Sequence, residues 1–359
     1  MFNFNKNLSS DIKDAVLAVT YQCNSCCQFC YIWQSRETFS CQPSDYENLP
    51  RNLESVNISG GEPFLRPDLP EIVRVISRRC PQAKIIISTN GFLPSIIKKR
   101  MTEIIKFKRD IGVAVSLDGF GKVHEELRGF PGGFSLALET IRLLKELGLK
   151  DLKIAFTLNN ENINQLKRVY QLSGELGVEF SLAACHNSSH YFQIENNKIG
   201  KIATVKKEIN WLIEQELKKF SLKRWARAYF AWGLIKFLEE KQRVLPDYSG
   251  LASVFIDPFG NIYPSDVWDL KIGRLEEVGD WDEFAKGTQG LVSFGEKPVN
   301  WMVCTARQAV KRHPFRVGWW VLKKIVKRLR WGQSLKLKTG TVPRGEGLSP
   351  LRYENSSNK

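Results

Sequence analysis

Short apolar runs alternate with amphipathic stretches through the first half of the chain. The predicted strands cover residues 15–20, 55–59, 84–88, 111–117, 152–158 and 178–182, and they are rich in β-branched and apolar residues. Between strands the period changes to that of a helix, as in residues 136–148, which end at a glycine. Six strand–helix units predict an α/β fold, an open and partial (β/α)6 barrel of the TIM type.

The second half has a different pattern. Residues 186–250 are predicted to be largely helical, and their aromatic side chains are predicted to be core: Trp211, Trp225, Tyr229, Phe230 and Trp232. Two short strands around Pro258-Phe259-Gly260-Asn261 predict a β-hairpin. We therefore expect a barrel in residues 1–185, a helical connection in 186–250, a small α+β extension in 251–304 and a basic tail in 305–359, with a disordered end from about residue 340.

Charge is concentrated in that tail. The formal net charge is +15, and residues 305–344 contain twelve lysines and arginines and no acid. Residues 317–331 place Trp319, Leu322, Ile325, Val326 and Leu329 near one side of a helix. Such a segment either lies in a membrane interface, with cations on anionic headgroups, or covers the protein core. No export signal is evident, because the apolar run at 15–20 is too short to span a bilayer and lacks a cleavage site. We expect a cytoplasmic protein, peripheral on the inner membrane surface if the first alternative holds.

Three cysteines directly follow the first predicted strand. Cys23, Cys27 and Cys30 are separated by three residues and then two, a spacing that lets a tight loop wrap one face of an iron–sulfur cube and leaves the fourth iron open. Two CxxC pairs would suit zinc, and the second pair is absent. A zinc knuckle completed by a distant residue stays open as an alternative. A disulfide nest is disfavoured, because four cysteines within residues 23–30 would strain as disulfides.

Polar residues follow the other predicted strands at the same end. The second strand runs into Gly60-Gly61-Glu62, and further polar side chains follow the later strands: Asn90, Ser116, Asp118, Arg128 and Asn159. Loops at the carboxyl ends of parallel strands converge on one mouth, so these side chains are expected to share a site. Turn chemistry and solvated charge are the alternatives for each of them.

With Phe29 before the last cysteine, this run resembles the CxxxCxxC signature of radical S-adenosylmethionine (SAM) enzymes. The resemblance covers residues 15 to about 185. It implies one [4Fe-4S] cluster on Cys23, Cys27 and Cys30, with Phe29 near the SAM adenine. It implies that Gly60-Gly61-Glu62-Pro63 is the GGEP motif that holds the SAM amino group, and that Arg128 meets the methionine carboxylate. Further implied SAM contacts are Asn90, Ser116, Asp118 and Asn159.

The resemblance also implies a reaction. The cluster reduces SAM to methionine and a 5'-deoxyadenosyl radical, which abstracts hydrogen from a substrate. The electron would come from a reductase, a flavodoxin or a ferredoxin. The hairpin resembles the start of a SPASM or twitch extension, but Ser265 stands where a cysteine is expected and Cys304 is the only cysteine beyond residue 185. We therefore expect a single cluster, with Cys304 as a packed thiol and Cys26 as a bystander.

Three functions remain open at this point. The first is a radical SAM enzyme that acts on a sugar or lipid-linked carrier at a membrane surface. The second is radical SAM modification of a peptide or RNA, with nucleic acid the less expected partner. The third is a non-catalytic iron–sulfur or zinc protein. Cys185, His186 and His190 are expected to form a substrate contact or a plain loop rather than a metal site.

Overall fold

Six parallel strands form an open barrel wall. The computed structural model describes residues 11–294 and 297–339. The strands lie close to the predicted positions, in chain order β1 Asp14–Ala18, β2 Ser55–Ser59, β3 Lys84–Thr89, β4 Gly112–Ser116, β5 Asp151–Leu158 and β6 Glu179–Ala184. Each pairs in parallel with the next. The predicted α/β fold with a partial barrel is confirmed.

Helices connect the strands. The connecting segments are helical because their apolar residues recur every three to four positions and form one face that packs on the sheet. These are α1 Leu69–Arg79, α2 Pro94–Ile104, α3 Lys122–Arg128, α4 Gly133–Glu146 and α5 Leu166–Glu175. In α1, for example, the residues Leu69, Ile72, Val73 and Ile76 are fully buried. Helix α4 stops two residues before Gly148, which has a φ of +79° that favours glycine.

The segment after the barrel contains two long helices, α6 Ile202–Glu216 and α7 Leu222–Glu240. This agrees with the predicted helical connection. Among its predicted core aromatics, Tyr229 is buried, and the other four are half-buried: Trp211, Trp225, Phe230 and Trp232.

The predicted hairpin forms as β7 Ser253–Ile256 and β8 Asn261–Tyr263, followed by the short β9 Gly273–Arg274. Its turn is fixed by the Asp257 carboxylate, which accepts the backbone N–H groups of Phe259 and Asn261 at 2.9 Å each. Strand β7 also pairs in parallel with β1, with Ala15 opposite Val254. The extension therefore continues the barrel sheet, in the order β6-β5-β4-β3-β2-β1-β7-β8-β9. Helices α8 Trp281–Phe294 and α9 Val303–Arg312 follow.

The last described helix, α10 Pro314–Thr339, lies almost entirely in a separate compact unit that begins at Phe315. It contains the predicted amphipathic segment 317–331. Its exposed apolar side chains are Phe315, Trp319, Leu322 and Val326. Within the described residues, no helix combines the length and the apolar character needed to cross a bilayer. The predicted disordered end falls on residues 340–359, which lie outside the described part.

Candidate active site

The three cysteines line one cavity at the carboxyl ends of the barrel strands. The cysteine loop, residues Cys23–Cys30, follows β1, and the thiols of Cys23, Cys27 and Cys30 share the cavity with strand-end residues of β2 to β6. All eight cysteines of the chain are described, and each is a free thiol. The disulfide alternative is therefore wrong.

The end of helix α3 holds the cysteine loop from one side. The backbone N–H groups of Cys26 and Gln28 donate to the carbonyls of Arg128 and Leu127, each at 3.0 Å. The Ser25 hydroxyl also donates to the Arg128 carbonyl, at 2.7 Å. The last carbonyls of a helix have no partner inside the helix, so they are available to anchor a loop. These contacts to the helix backbone fix the loop without using its thiols.

Two glycines allow close contact with the cysteine loop from both sides, one at the end of α3 and one in the loop after β2. Gly129 ends α3 with a φ of +60°, and a Cβ there would lie 2.4 Å from the Cys26 carbonyl oxygen. On the β2 side, a Cβ on Gly61 would lie 2.2 Å from the Gln22 carbonyl oxygen. Only glycine fits such distances. The Glu62 N–H can then donate to that Gln22 carbonyl at 2.8 Å.

The Glu62 side chain lies behind the cavity wall rather than in it. It is fully buried and accepts hydrogen bonds from the Thr89 hydroxyl at 2.9 Å and the Asn90 backbone N–H at 2.7 Å. Burial raises the pKa of Glu62 to about 7, although these hydrogen bonds favour its charged form. The carboxyl group joins the end of β2 to the end of β3.

Asp118 and Arg128 form a buried ion pair beside the cysteine loop. Arg128 Nε donates to Asp118 Oδ2 at 2.6 Å, and Asp118 Oδ1 accepts the Thr157 backbone N–H at 2.7 Å. The Arg128 guanidinium lies 5.2 Å from the centre of the Phe29 ring. Its Nη1 donates toward Cys27 Sγ at 3.8 Å. The cation therefore lies beside one of the three thiols.

His124 completes this group as a neutral side chain. Its Nδ1 accepts the backbone N–H of Asp118 at 3.0 Å. Burial, and secondarily the nearby Arg128 cation, lower the pKa of His124 to about 3.

Most of the residues predicted for the site line the cavity together. They are Cys23, Cys27, Cys30, Phe29, Gly60, Gly61, Asn90, Ser116 and Arg128. Glu62 and Asp118 lie just behind the wall. Asn159 lines a neighbouring pocket that shares Phe29 and Cys185 with the first. The Asn159 amide nitrogen is buried without a hydrogen-bond partner, which leaves it free to donate to a ligand.

The sequence did not reveal several aromatic and sulfur-containing residues of the cavity. Tyr191, Phe192 and Met302 come from irregular segments, and Trp33 comes from the short 3-10 helix Ile32–Gln34. None of these segments carries a periodic signal. Tyr191 hydrogen bonds to the Ser59 hydroxyl at 3.1 Å across the mouth. Cys185 and His186, which the sequence did single out, also line the cavity. The His186 ring bonds to the Ala184 carbonyl through Nδ1 at 2.8 Å and stacks on Phe237.

The extension contributes a different kind of thiol. Cys304 packs against the same apolar cluster as Cys23 and Cys30, and its Sγ lies 3.6 Å from Asp266 Oδ1. Burial raises the pKa of Asp266 to about 6. Burial, and secondarily the Asp266 charge, raise the pKa of Cys304. Ser265, at the position where the resemblance expected a cysteine, is buried next to this pair.

Comparison with known proteins identifies the barrel. Residues 17–173 match the Radical SAM superfamily. These residues form a radical SAM domain. A curated relative, "Probable GTP 3',8-cyclase" of Metallosphaera sedula, is 31% identical over 179 residues, which is 47% of this chain and 54% of the relative. "Fe-coproporphyrin III synthase" of Methanosarcina barkeri is 32% identical over 46% of this chain and 42% of its own length. This radical SAM chain thus spans about half the length of these two relatives.

Solved structures show the same fold at lower sequence identity. Streptococcus suis SuiB bound to S-adenosylmethionine superposes with a TM-score of 0.58 at 19% identity, over 76% of this chain and 65% of SuiB. The SAM-bound anSMEcpe gives a TM-score of 0.55 at 15% identity, over 86% of this chain and 98% of that protein. At these identities the likeness establishes the radical SAM fold.

The cofactors of the superfamily are a [4Fe-4S] cluster and SAM. The residues present fit both, because three free thiols face one cavity and thiolates are the usual protein ligands of such clusters. The same cavity offers the amide of Asn90 and the hydroxyl of Ser116, which are hydrogen-bonding groups suited to a polar cofactor. Within the described residues, no three His, Cys, Asp or Glu side chains converge on a position for a single metal ion.

Proposed function

We propose that this chain is a radical SAM enzyme with one cluster, held by Cys23, Cys27 and Cys30. The observation that carries the proposal is that the three thiols share a cavity with Phe29, the Gly60-Gly61 pair, Asn90 and Ser116. When bound, the cluster and SAM supply a 5'-deoxyadenosyl radical that abstracts hydrogen from the substrate. A reductase, flavodoxin or ferredoxin provides the electron.

The protein's own contribution is position and exclusion of water. Cys27 and Tyr191 are buried and Cys23 and Cys30 are half-buried, so the cavity lies within the barrel mouth rather than on the surface. A dry site protects a reactive intermediate from side reactions. Phe29 and the glycine pair come from the loops after β1 and β2, which are hydrogen bonded to each other and hold the wall in place.

The rest of the lining supports an uncharged substrate group. Trp33, Tyr191, Phe192 and Met302 are aromatic or apolar, and among the described lining residues Arg128 is the one lysine or arginine. A triphosphate such as that of GTP is normally bound by several cations. We therefore favour a sugar or lipid-linked carrier, whose apolar ring face packs on aromatic side chains. A peptide side chain is the alternative, since SuiB is known in a structure bound to its precursor peptide SuiA.

The enzyme class is tested by anaerobic reconstitution with iron, sulfide, SAM and a reductant. We expect the wild-type chain to bind about four irons and to form 5'-deoxyadenosine, with no added stimulation by GTP. Cys23→Ala should abolish both, whereas Cys26→Ser, which alters an exposed thiol of the same loop, should retain both. Stoichiometric zinc, or absence of 5'-deoxyadenosine from the wild-type chain, would contradict the proposal.

We further propose that α10 docks on an anionic membrane surface. Phe315, Trp319, Leu322 and Val326 recur at intervals of four, three and four residues, and their side chains are 92%, 60%, 51% and 38% exposed. They form an exposed apolar stripe. The same helix carries five cations and no acid between residues 316 and 328. Aromatic and aliphatic side chains at acyl depth with cations at phosphate depth are typical of interfacial helices.

Liposome flotation of the full chain tests this docking. We expect flotation with vesicles containing anionic lipid, little with neutral vesicles, and loss of flotation for Trp319→Glu. Phe220→Glu is the matched control, because Phe220 is an even more exposed aromatic residue, 88% against 60% for Trp319, and lies outside α10. Equal flotation of both variants, or none of the wild-type chain, would rule out docking through α10.

A further inference from the structure

Arg128 contacts a cluster ligand directly, which the sequence does not show. On sequence grounds its guanidinium was expected to meet the carboxylate of SAM. In the structure, Nε is bonded to Asp118 and Nη1 is directed at Cys27 Sγ. A guanidinium grips a carboxylate with two adjacent nitrogens. Either two-pronged grip, through Nη1 with Nη2 or through Nε with Nη2, would use one of the two nitrogens that are engaged here.

We infer that Arg128 is a positioning residue that donates a hydrogen bond to the Cys27 sulfur and thereby raises the reduction potential of the cluster. The inference rests on the proposed function, because it needs a cluster on Cys23, Cys27 and Cys30.

The arginine is held in this position from several directions. Asp118 fixes Nε, and the Asp118 carboxylate is itself fixed by the Thr157 N–H. The Asn162 amide donates to the Asp118 carbonyl at 3.0 Å. The Arg128 backbone carbonyl accepts the Cys26 N–H and the Ser25 hydroxyl. The same residue therefore anchors the cysteine loop by its backbone and reaches its sulfur by its side chain.

The contact makes the three thiols unequal. Cys27 Sγ has two polar neighbours, the Ser25 hydroxyl at 3.2 Å and Arg128 Nη1 at 3.8 Å. Cys23 and Cys30 instead pack against an apolar cluster. Cys23 and Cys30 also have backbone N–H neighbours, at Ser25 and Ile32. Cys27 is thus the thiol with a side-chain cation and a side-chain hydroxyl as hydrogen-bonding neighbours.

The cation and the hydrogen-bond donors beside Cys27 would favour the reduced form of the cluster over the oxidised form. Reduction adds one negative charge to the cluster and its thiolates. A cation and an N–H donor beside a ligand sulfur stabilise that charge more than they stabilise the oxidised form. Hydrogen bonds to the sulfurs and the net charge of the surroundings are among the factors that set such potentials. Removal of Arg128 should make the cluster harder to reduce.

A potentiometric titration followed by electron paramagnetic resonance, on the reconstituted full chain without SAM, tests the inference. We expect Arg128→Gln to shift the reduction equilibrium at least tenfold toward the oxidised cluster, about 59 mV for one electron. Lys122→Gln is the matched control, because it removes a cation from the same helix at a side chain that is 87% exposed. Its potential should equal that of the wild-type chain.

SAM binding separates the two roles of the arginine. Equilibrium dialysis of the oxidised holoenzyme should give Arg128→Gln an SAM affinity within about threefold of wild type. An unchanged potential together with a large loss of SAM affinity would overturn the inference and leave the proposed function intact. If Arg128→Gln takes up no iron, Arg128→Lys decides, since it keeps a cation near Asp118 but loses the fixed fork of donors. A wild-type potential in Arg128→Lys would then overturn the inference.

Discussion

The cysteine loop and the thiol of the extension pack against one apolar cluster, yet the charged groups beside their thiols have opposite signs. The loop donates its Cys26 and Gln28 N–H groups to carbonyls at the end of α3, and it has the Arg128 cation at Cys27. Cys304 faces the buried carboxyl of Asp266 instead. A cation favours the thiolate that iron requires, whereas a carboxylate disfavours it. The charge beside Cys27 therefore favours its thiolate, and the charge beside Cys304 opposes the thiolate there.

The residue at position 265 agrees with this difference, because Ser265 stands where the resemblance expected a cysteine. With a serine there and one cysteine in the rest of the extension, the thiolates that an auxiliary cluster needs are missing. The extension keeps its strands β7 and β8, which complete the sheet beside β1. Ser265 and Asp266 are buried polar side chains of this extension.

The largest effect on stability and iron uptake is expected from a substitution that adds a side chain between α3 and the cysteine loop. Gly129→Ala would place a methyl group against the Cys26 carbonyl and strain a positive φ. We expect a loss of about 3 kcal/mol in the free energy of unfolding and reduced iron uptake. Chemical denaturation and iron analysis measure the two effects.

Gly132→Ala is the control for that variant. Gly132 has a φ of +76°, but a Cβ there would meet nothing within 4 Å. Its cost should be about 1 kcal/mol, from backbone strain alone, with normal iron uptake. Equal losses in the two variants would show that contact with the cysteine loop is unimportant.

A smaller effect is expected from the acid in the extension. The folded-state pKa of Asp266, about 6, lies above its ordinary value of 3.8, so the folded state holds the proton more tightly than the unfolded state. Its contribution to stability is therefore fully present below about pH 3.8 and is lost as the pH rises through 6. Asp266→Asn should lack this dependence.

Chemical denaturation of the wild-type chain and of Asp266→Asn at several pH values between 4 and 8 measures this pH dependence. Relative to Asp266→Asn, the wild-type chain should lose on the order of 2 kcal/mol across that range, and the difference should level off above pH 7. A constant difference between the two proteins would show that Asp266 is no more protonated in the folded state than in the unfolded one.

The smallest effect should come from the extension thiol itself. Cys304→Ser replaces a half-buried, hydrogen-bonded thiol by a hydroxyl of similar shape, so iron content should stay as in wild type and stability should change by about 1 kcal/mol. Cys27→Ser, the same replacement in the cysteine loop, should lose the iron. Iron lost from Cys304→Ser as well would mean that the two regions are not distinct in the way their charges indicate.

The sequence predicted the local elements well and their long-range partners poorly. The six barrel strands and the hairpin follow from apolar runs and turn residues, which are local signals. The pairing of β7 with β1 joins residues more than two hundred positions apart, and nothing in the period of either strand indicates it. Likewise, Asp118 and Arg128 were predicted as separate ligand contacts. Their ion pair depends on α3 turning back toward β4, which only the folded chain shows.

The mouth of the cavity was the least predictable part. Trp33, Phe192 and Met302 line this cavity from three distant segments. In the sequence, an aromatic residue outside a periodic pattern does not differ from an ordinary surface or core residue. The cysteines and glycines were easier, because their chemistry restricts what they can do at that spacing.

The lateral pairing of β7 with β1 has a consequence for shortened versions of this protein. A chain cut at residue 250 would bare a row of unpaired N–H and C=O groups along β1, the strand that leads into the thiols. Uncovered strand margins recruit other chains, so such a fragment should self-associate even though its barrel motifs are whole.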